Sequence, residues 1–296
     1  MAEASVSTEE AKVFSCDGDS LIGILHRPER PAKRAVVIVV GGGPQYRVGG
    51  HRQLVLWSRR LCDQGIAVLR FDYRGMGDSY GDFAGFENVD ADIKAAIDYL
   101  FAEVAEVEEV VLWGECDASS AIIFYAWSDS RVKGAVLLNP WVHTPAGQAK
   151  AFIKHYYWHR LKDKAFWEKV ISLQFDVFGS LKSFLANLKS SFANKTENVS
   201  AQVNSESTPI PRNLDIPSRM YIGFARFQAP IMLVMSGRDF VAREFDDLIA
   251  SSQEWRDRMS HPEVVRYDIP DADHTFSTNE WRNAVVGWAE TWLKSW

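Results

Sequence analysis

Short β-branched runs alternate with stretches of helical periodicity through the first half of the chain. Residues 36–40 (VVIVV), 66–71, 110–113 and 135–138 read as strands, whereas 52–64, 89–101 and 118–127 carry apolar residues at three- and four-residue spacing and read as helices. The alternation predicts βαβ units, and hence an α/β fold with a mostly parallel central sheet covered by helices on both faces. The strands are near-continuous apolar runs, as expected where both faces of a sheet are buried. Ahead of them, residues 12–27 with Asp17-Gly18-Asp19 in the middle read as an antiparallel hairpin at the sheet edge.

The pattern breaks after about residue 141. The aromatic helical stretch AFIKHYYWHRLKDKAFW (151–167) is followed by a long polar tract, and strand and helix alternation resumes at Pro230 with strands at 231–235 and 264–269 and helices near 244–254 and 281–296. One domain with an insertion explains this order. Residues 1–140 and 230–296 form the core, and 141–229 form a helical cap with a polar loop at about 190–213.

Charge and cysteine usage narrow the function. The 39 acidic against 33 basic residues give a formal charge of −6 without long runs of one sign, so no broad basic surface for nucleic acid is expected. No segment approaches eighteen uninterrupted apolar residues, and the start MAEASVSTEEAKVF lacks a basic stretch leading into an apolar one; no membrane span and a cytoplasmic location are expected. The three cysteines, Cys16, Cys62 and Cys116, stand far apart with no CxxC, which predicts free thiols, no metal cage and no cofactor. The expected partner is a small molecule, and the oligomeric state is left open.

The chemistry concentrates at Gly114-Glu115-Cys116-Asp117-Ala118. A strand (VVLW) runs into this turn and a helix leaves it, with a nucleophilic side chain at the apex and small residues two positions before and after. A helix N-terminus pointing at the sulfur should favour thiolate. Cys62, on the core face of a helix, and Cys16, beside the hairpin turn, read as buried small hydrophobes. Of seven histidines, His274 alone follows the last strand, in a loop (270–276) that opens at the C-terminal edge of the sheet, where ligands bind in open α/β folds. The loop after strand 231–235 supplies Asp239 as the acid that orients the ring, with Asp271 and Asp273 as rivals too close along the chain for easy docking on it. The order nucleophile, acid, histidine is then Cys116, Asp239, His274. Oxyanion donors are expected from the N–H of Asp117 and from the turn after 36–40, Gly43 first, with Gly42 or Gln45 in reserve because Pro44 has no N–H.

With these residues assembled, the chain resembles the α/β-hydrolase superfamily over nearly its whole length. The block Phe71-Asp72-Tyr73-Arg74-Gly75-Met76-Gly77-Asp78-Ser79 carries the D-x-R-G-x-G-x-S pattern of that superfamily. More narrowly, GGGPQYRVGGHRQ, FDYRGMGDS, WGECDAS and LLNPWVHT are similar to the exosortase A system-associated hydrolase 1 family, whose bacterial members also show cysteine at the elbow. The resemblance implies the fold and triad roles for Cys116, Asp239 and His274. Two departures from the wider superfamily stand out: Gly41 replaces a frequent histidine, and cysteine replaces serine. The expected activity is hydrolysis of an acyl ester or thioester through a covalent acyl-enzyme. Acyl transfer to a sugar or lipid hydroxyl in the same site, and a non-catalytic binding protein of the same fold, are the alternatives.

Overall fold

The computed structural model describes residues 7–41, 45–142 and 208–296. Eight strands form one sheet: β1 (Thr8–Cys16), β2 (Asp19–Arg27), β3 (Arg34–Val39), β4 (Val68–Asp72), β5 (Glu109–Glu115), β6 (Val132–Leu138), β7 (Ile231–Ser236) and β8 (Val264–Ile269). Their spatial order is β1-β2-β4-β3-β5-β6-β7-β8. The β1–β2 and β2–β4 pairs are antiparallel and the remaining pairs parallel. This is the α/β-hydrolase fold. The hairpin turns where the sequence predicts it: Asp17 (φ 49°) and Gly18 (φ 94°) take the two positive-φ positions that match the twist of the strands.

Helices α1 (Gln53–Asp63), α2 (Asp90–Glu103), α3 (Asp117–Tyr125), α4 (Ile216–Arg226), α5 (Phe240–Ser251), α6 (Gln253–Met259) and α7 (Asn279–Trp292) complete the described fold. Strand alternation divides the core. Val36, Ile38 and Val40 point into a cluster with Trp57 and Leu61 of α1 and Val285, Val286 and Trp292 of α7. Ala35, Val37 and Val39 point the other way, among Ile93 and Ile97 of α2, Ile122 of α3, Phe224 of α4, Phe245 of α5 and Trp255 of α6. The helix expected at 244–254 is two, because Ser252 is extended (φ −143°) and its side chain caps α6 by accepting the Trp255 N–H.

Most of the predicted cap, including the aromatic stretch 151–167, lies outside the described residues. Helix α4, which falls late in the predicted cap range 141–229, buries Met220 and Phe224 in the same core as the sheet, and its Gly223 lies so close to α3 that an added Cβ would stand 2.4 Å from the Ile123 carbonyl oxygen. Among the described residues no helix is long and apolar enough to cross a membrane.

The D-x-R-G-x-G-x-S block is a fastening. Asp72, fully buried at the end of β4, accepts the backbone N–H of Arg47 at 2.5 Å and pairs with its guanidinium. It also accepts the Asp78 N–H at 3.1 Å. Gly77 (φ 52°) has room for no side chain, since a Cβ would meet the Asp72 carboxylate at 2.3 Å. The block therefore ties the segment after β3 down onto the C-terminal edge of the sheet, beside the apex between β5 and α3.

Candidate active site

Cys116 sits at that apex with φ 59° and ψ −125°, a backbone conformation costly for any residue but glycine. Its surroundings leave no alternative. A Cβ on Gly114 would come within 2.7 Å of Ile122 Cδ1 and 2.8 Å of the Ala118 backbone, and one on Gly41 within 2.3 Å of the Glu115 carbonyl oxygen and 2.8 Å of Ala118 Cβ. Three tightly packed small residues thus force the sharp turn. Hydrogen bonds then fix it: Cys116 N–H donates to Leu138 O at 2.8 Å, and buried Ser119 donates its hydroxyl to Gly114 O at 2.8 Å while accepting the Leu138 N–H at 3.1 Å.

The sheet edge brings the other two predicted residues to this apex. His274 Nδ1 lies 2.7 Å from Asp239 Oδ2, which leaves Nε2 available to Cys116, and the ring and the thiol shift each other's proton affinity. Asp239 is held by two further donors, the N–H groups of Val241 and Ala242 at 3.1 Å each, because it is also the N-cap of α5. The rivals are engaged elsewhere. Asp271 pairs with Arg238 at 2.6 Å on the surface, and Asp273 accepts the N–H (3.0 Å) and the hydroxyl of Ser277 within its own turn.

Burial lowers the proton affinity of His274, but its hydrogen bonds with Asp239 and Cys116 outweigh that and hold the ring well above the ordinary imidazole range. Cys116 goes against expectation. Burial pushes its thiol up, and the hydrogen bonds from His274 and from the Asp117 N–H only partly pull it back. A helix terminus and a single histidine do not offset the desolvation of a cysteine that is 5% exposed. Cys16 and Cys62 lack any such histidine, and burial raises both thiols to about 11.

The sequence model of the alpha/beta hydrolase family matches residues 36–286, from β3 into α7. The chain belongs to the alpha/beta hydrolase family. No sequence among the curated proteins matches it. Similar solved structures include the esterase Pf2001 of Pyrococcus furiosus, with 15% identity, 99% of this chain and 93% of that one covered, and a TM-score of 0.62. Others are Est1E of Butyrivibrio proteoclasticus with ferulic acid bound (17% identity, 96% and 98% covered, TM-score 0.58) and the dienelactone hydrolase of Anabaena variabilis (14% identity, 97% of each chain covered, TM-score 0.58). At these identities the likeness is one of fold.

In this hydrolase the predicted oxyanion residues Gly42 and Gly43 lie outside the described residues, while Asp117 opens α3 directly after Cys116. His26 is buried against Arg70, whose Nε donates to its Nε2 at 2.9 Å, and burial lowers its pKa to about 4. The sequence reading missed Asn139. It adopts φ 46° just after β6, is fully buried, and donates through Nδ2 to Ser236 Oγ and to the His274 carbonyl, both at 2.9 Å. Its Oδ1 accepts the Ser236 N–H at 2.8 Å. Asn139 thereby ties the histidine loop to two strands, and the available signal was a polar residue tolerant of left-handed backbone ending an apolar strand.

Proposed function

We propose that this hydrolase cleaves acyl esters or thioesters through a covalent acyl-cysteine at Cys116, with His274 carrying the proton and Asp239 orienting the ring. The observation that carries the reading is the His274 ring held by Asp239 at 2.7 Å and coupled in its protonation to a cysteine in the strained apex conformation. Reaction starts from the molecules whose ring is neutral at Nε2: as the sulfur attacks the carbonyl carbon, its proton passes to His274 Nε2, whose affinity for it Asp239 raises. The carbonyl π pair moves to oxygen, where the Asp117 N–H is one donor and Gly43 or Gly42 supplies the second. Collapse expels the alcohol or thiol, which takes the proton from His274. Water, deprotonated by the same ring, then releases the acid and restores the thiol.

Ester chemistry is supported by the descriptions of proteins sharing the fold, an esterase and a dienelactone hydrolase among them. A thioester or activated ester suits the site best, because a thiolate nucleophile is itself a good leaving group and returns to substrate when the departing group is poor. The four motifs around Gly41, Asp72, Cys116 and Asn139 favour membership in the exosortase A system-associated hydrolase 1 family. Hydrolysis of a panel of p-nitrophenyl esters and acyl thioesters tests the reading. Turnover of at least one class should vanish in Cys116→Ala, and turnover that persists in that variant would contradict it.

A further inference from the structure

The apex carries a second acidic group that the triad does not use. Along β5, alternation puts Trp113 and Glu115 on one face of the sheet, and along α1 the four-residue spacing puts Gln53 and Trp57 on one face of the helix. The two pairs meet. Trp57 and Trp113 pack with ring centroids 5.2 Å apart, and Gln53 Nε2 donates to Glu115 Oε2. Ala272 and Phe276, which flank His274, belong to the same buried cluster as Trp57 and Trp113, so the histidine loop lies over this face.

We propose that Glu115, braced by Gln53, is a positioning residue for His274, its carboxyl biasing the protonation of the ring. Although Glu115 keeps some exposed surface, its Oε1 is shielded from solvent and, like Gln53 Oε1, has no hydrogen-bond partner among the described residues. One donor for two carboxylate oxygens leaves the charge poorly solvated, and burial raises this carboxyl to about 7. Three charged groups act on it: His274 favours the ionised form, while Asp239 and Asp273 oppose it. The coupling is reciprocal, so an ionised Glu115 favours the imidazolium of His274. Above neutral pH the ring then holds its proton more firmly than Asp239 alone would make it.

The proposal rests on His274 being the proton carrier, but its test reads protonation rather than turnover, so the two can fail separately. The experiment is an NMR titration of the His274 ring nitrogens in the full chain. The wild type should show a minor inflection near pH 7, where Glu115 ionises, below the ring's own titration. In Glu115→Gln, which keeps the shape and an acceptor for Gln53, the inflection should disappear and the ring titrate at lower pH. In Gln53→Met the loss of the donor should move the inflection to higher pH. A carboxyl with only a structural role would change the melting temperature and leave all ring titrations superimposable, which would overturn the proposal. Should Glu115→Gln fail to fold, an unmoved inflection in Gln53→Met would overturn it alone.

Discussion

The two halves of the candidate site are held by different means. At the apex between β5 and α3 the backbone is locked sterically, by Gly41, Gly114 and Ala118 packed so closely that a Cβ on either glycine would stand within 2.8 Å of a neighbour. The histidine loop is held by polar ties between distant elements. Asp239 grips the His274 ring, Asn139 grips its carbonyl, and the Arg238 N–H donates to Ala272 O at 3.0 Å. Sterics set a conformation with almost no tolerance, whereas a set of hydrogen bonds can lose one member and keep the rest. The apex should therefore fail abruptly under substitution and the histidine loop by degrees.

The largest effects should come from chemistry rather than scaffold. Asp239→Asn should lower turnover by roughly 10²- to 10⁴-fold, because the amide cannot stabilise the imidazolium and favours the wrong ring tautomer. Asparagine still caps α5, so thermal unfolding should change little. Asp273→Asn should leave turnover within a few-fold of wild type, and steady-state rates for the two variants would reassign the acid if their order were reversed.

Next in size, Gly114→Val should break the apex outright. With the nearest Cβ neighbours being Ile122 Cδ1 at 2.7 Å and backbone atoms of Ala118 and Ser119 at 2.8 and 2.9 Å, the strand and helix must separate. A cost of about 3 kcal/mol or more, with activity lost alongside, is expected in denaturant unfolding. Asn139→Ala should behave as the polar half does: about 2 kcal/mol of stability lost from unpaired buried groups, and turnover reduced about tenfold rather than abolished. If Gly114→Val were tolerated and Asn139→Ala were not, the contrast between the two halves would be wrong.

The smallest difference concerns reactivity. All three cysteines are buried to a similar degree, at 4%, 3% and 5% exposure for Cys16, Cys62 and Cys116. Only Cys116 has a histidine and a helix N–H opposing the effect of burial. Iodoacetamide should modify Cys116 first at mildly alkaline pH, and peptide mapping that found Cys62 ahead of it would undercut the nucleophile assignment.

The same contrast explains what was legible in the sequence. The apex is encoded by small residues at fixed spacing between an apolar strand and a helix, a local pattern, and so are the hairpin at Asp17-Gly18 and the remaining parallel strands. The placement of Asp239 beside the His274 ring was legible because it follows a strand end in the expected order. Asn139 was not, since its partners lie 97 and 135 positions away at Ser236 and His274 and nothing local distinguishes it from an ordinary strand terminator. The direction of the Cys116 thiol was misjudged for a related reason: the helix N-terminus is visible in sequence, and the depth of burial is not. The split of the helix expected at 244–254 turned on one capping serine.

The most direct test of the account is the mass of the intact protein after brief exposure to an acyl thioester and rapid quenching in acid. A gain equal to the acyl group, mapped to Cys116 and absent from Cys116→Ala, is the predicted result. An acyl group retained in Cys116→Ala, or rapid turnover with no adduct at any quench time, would contradict it.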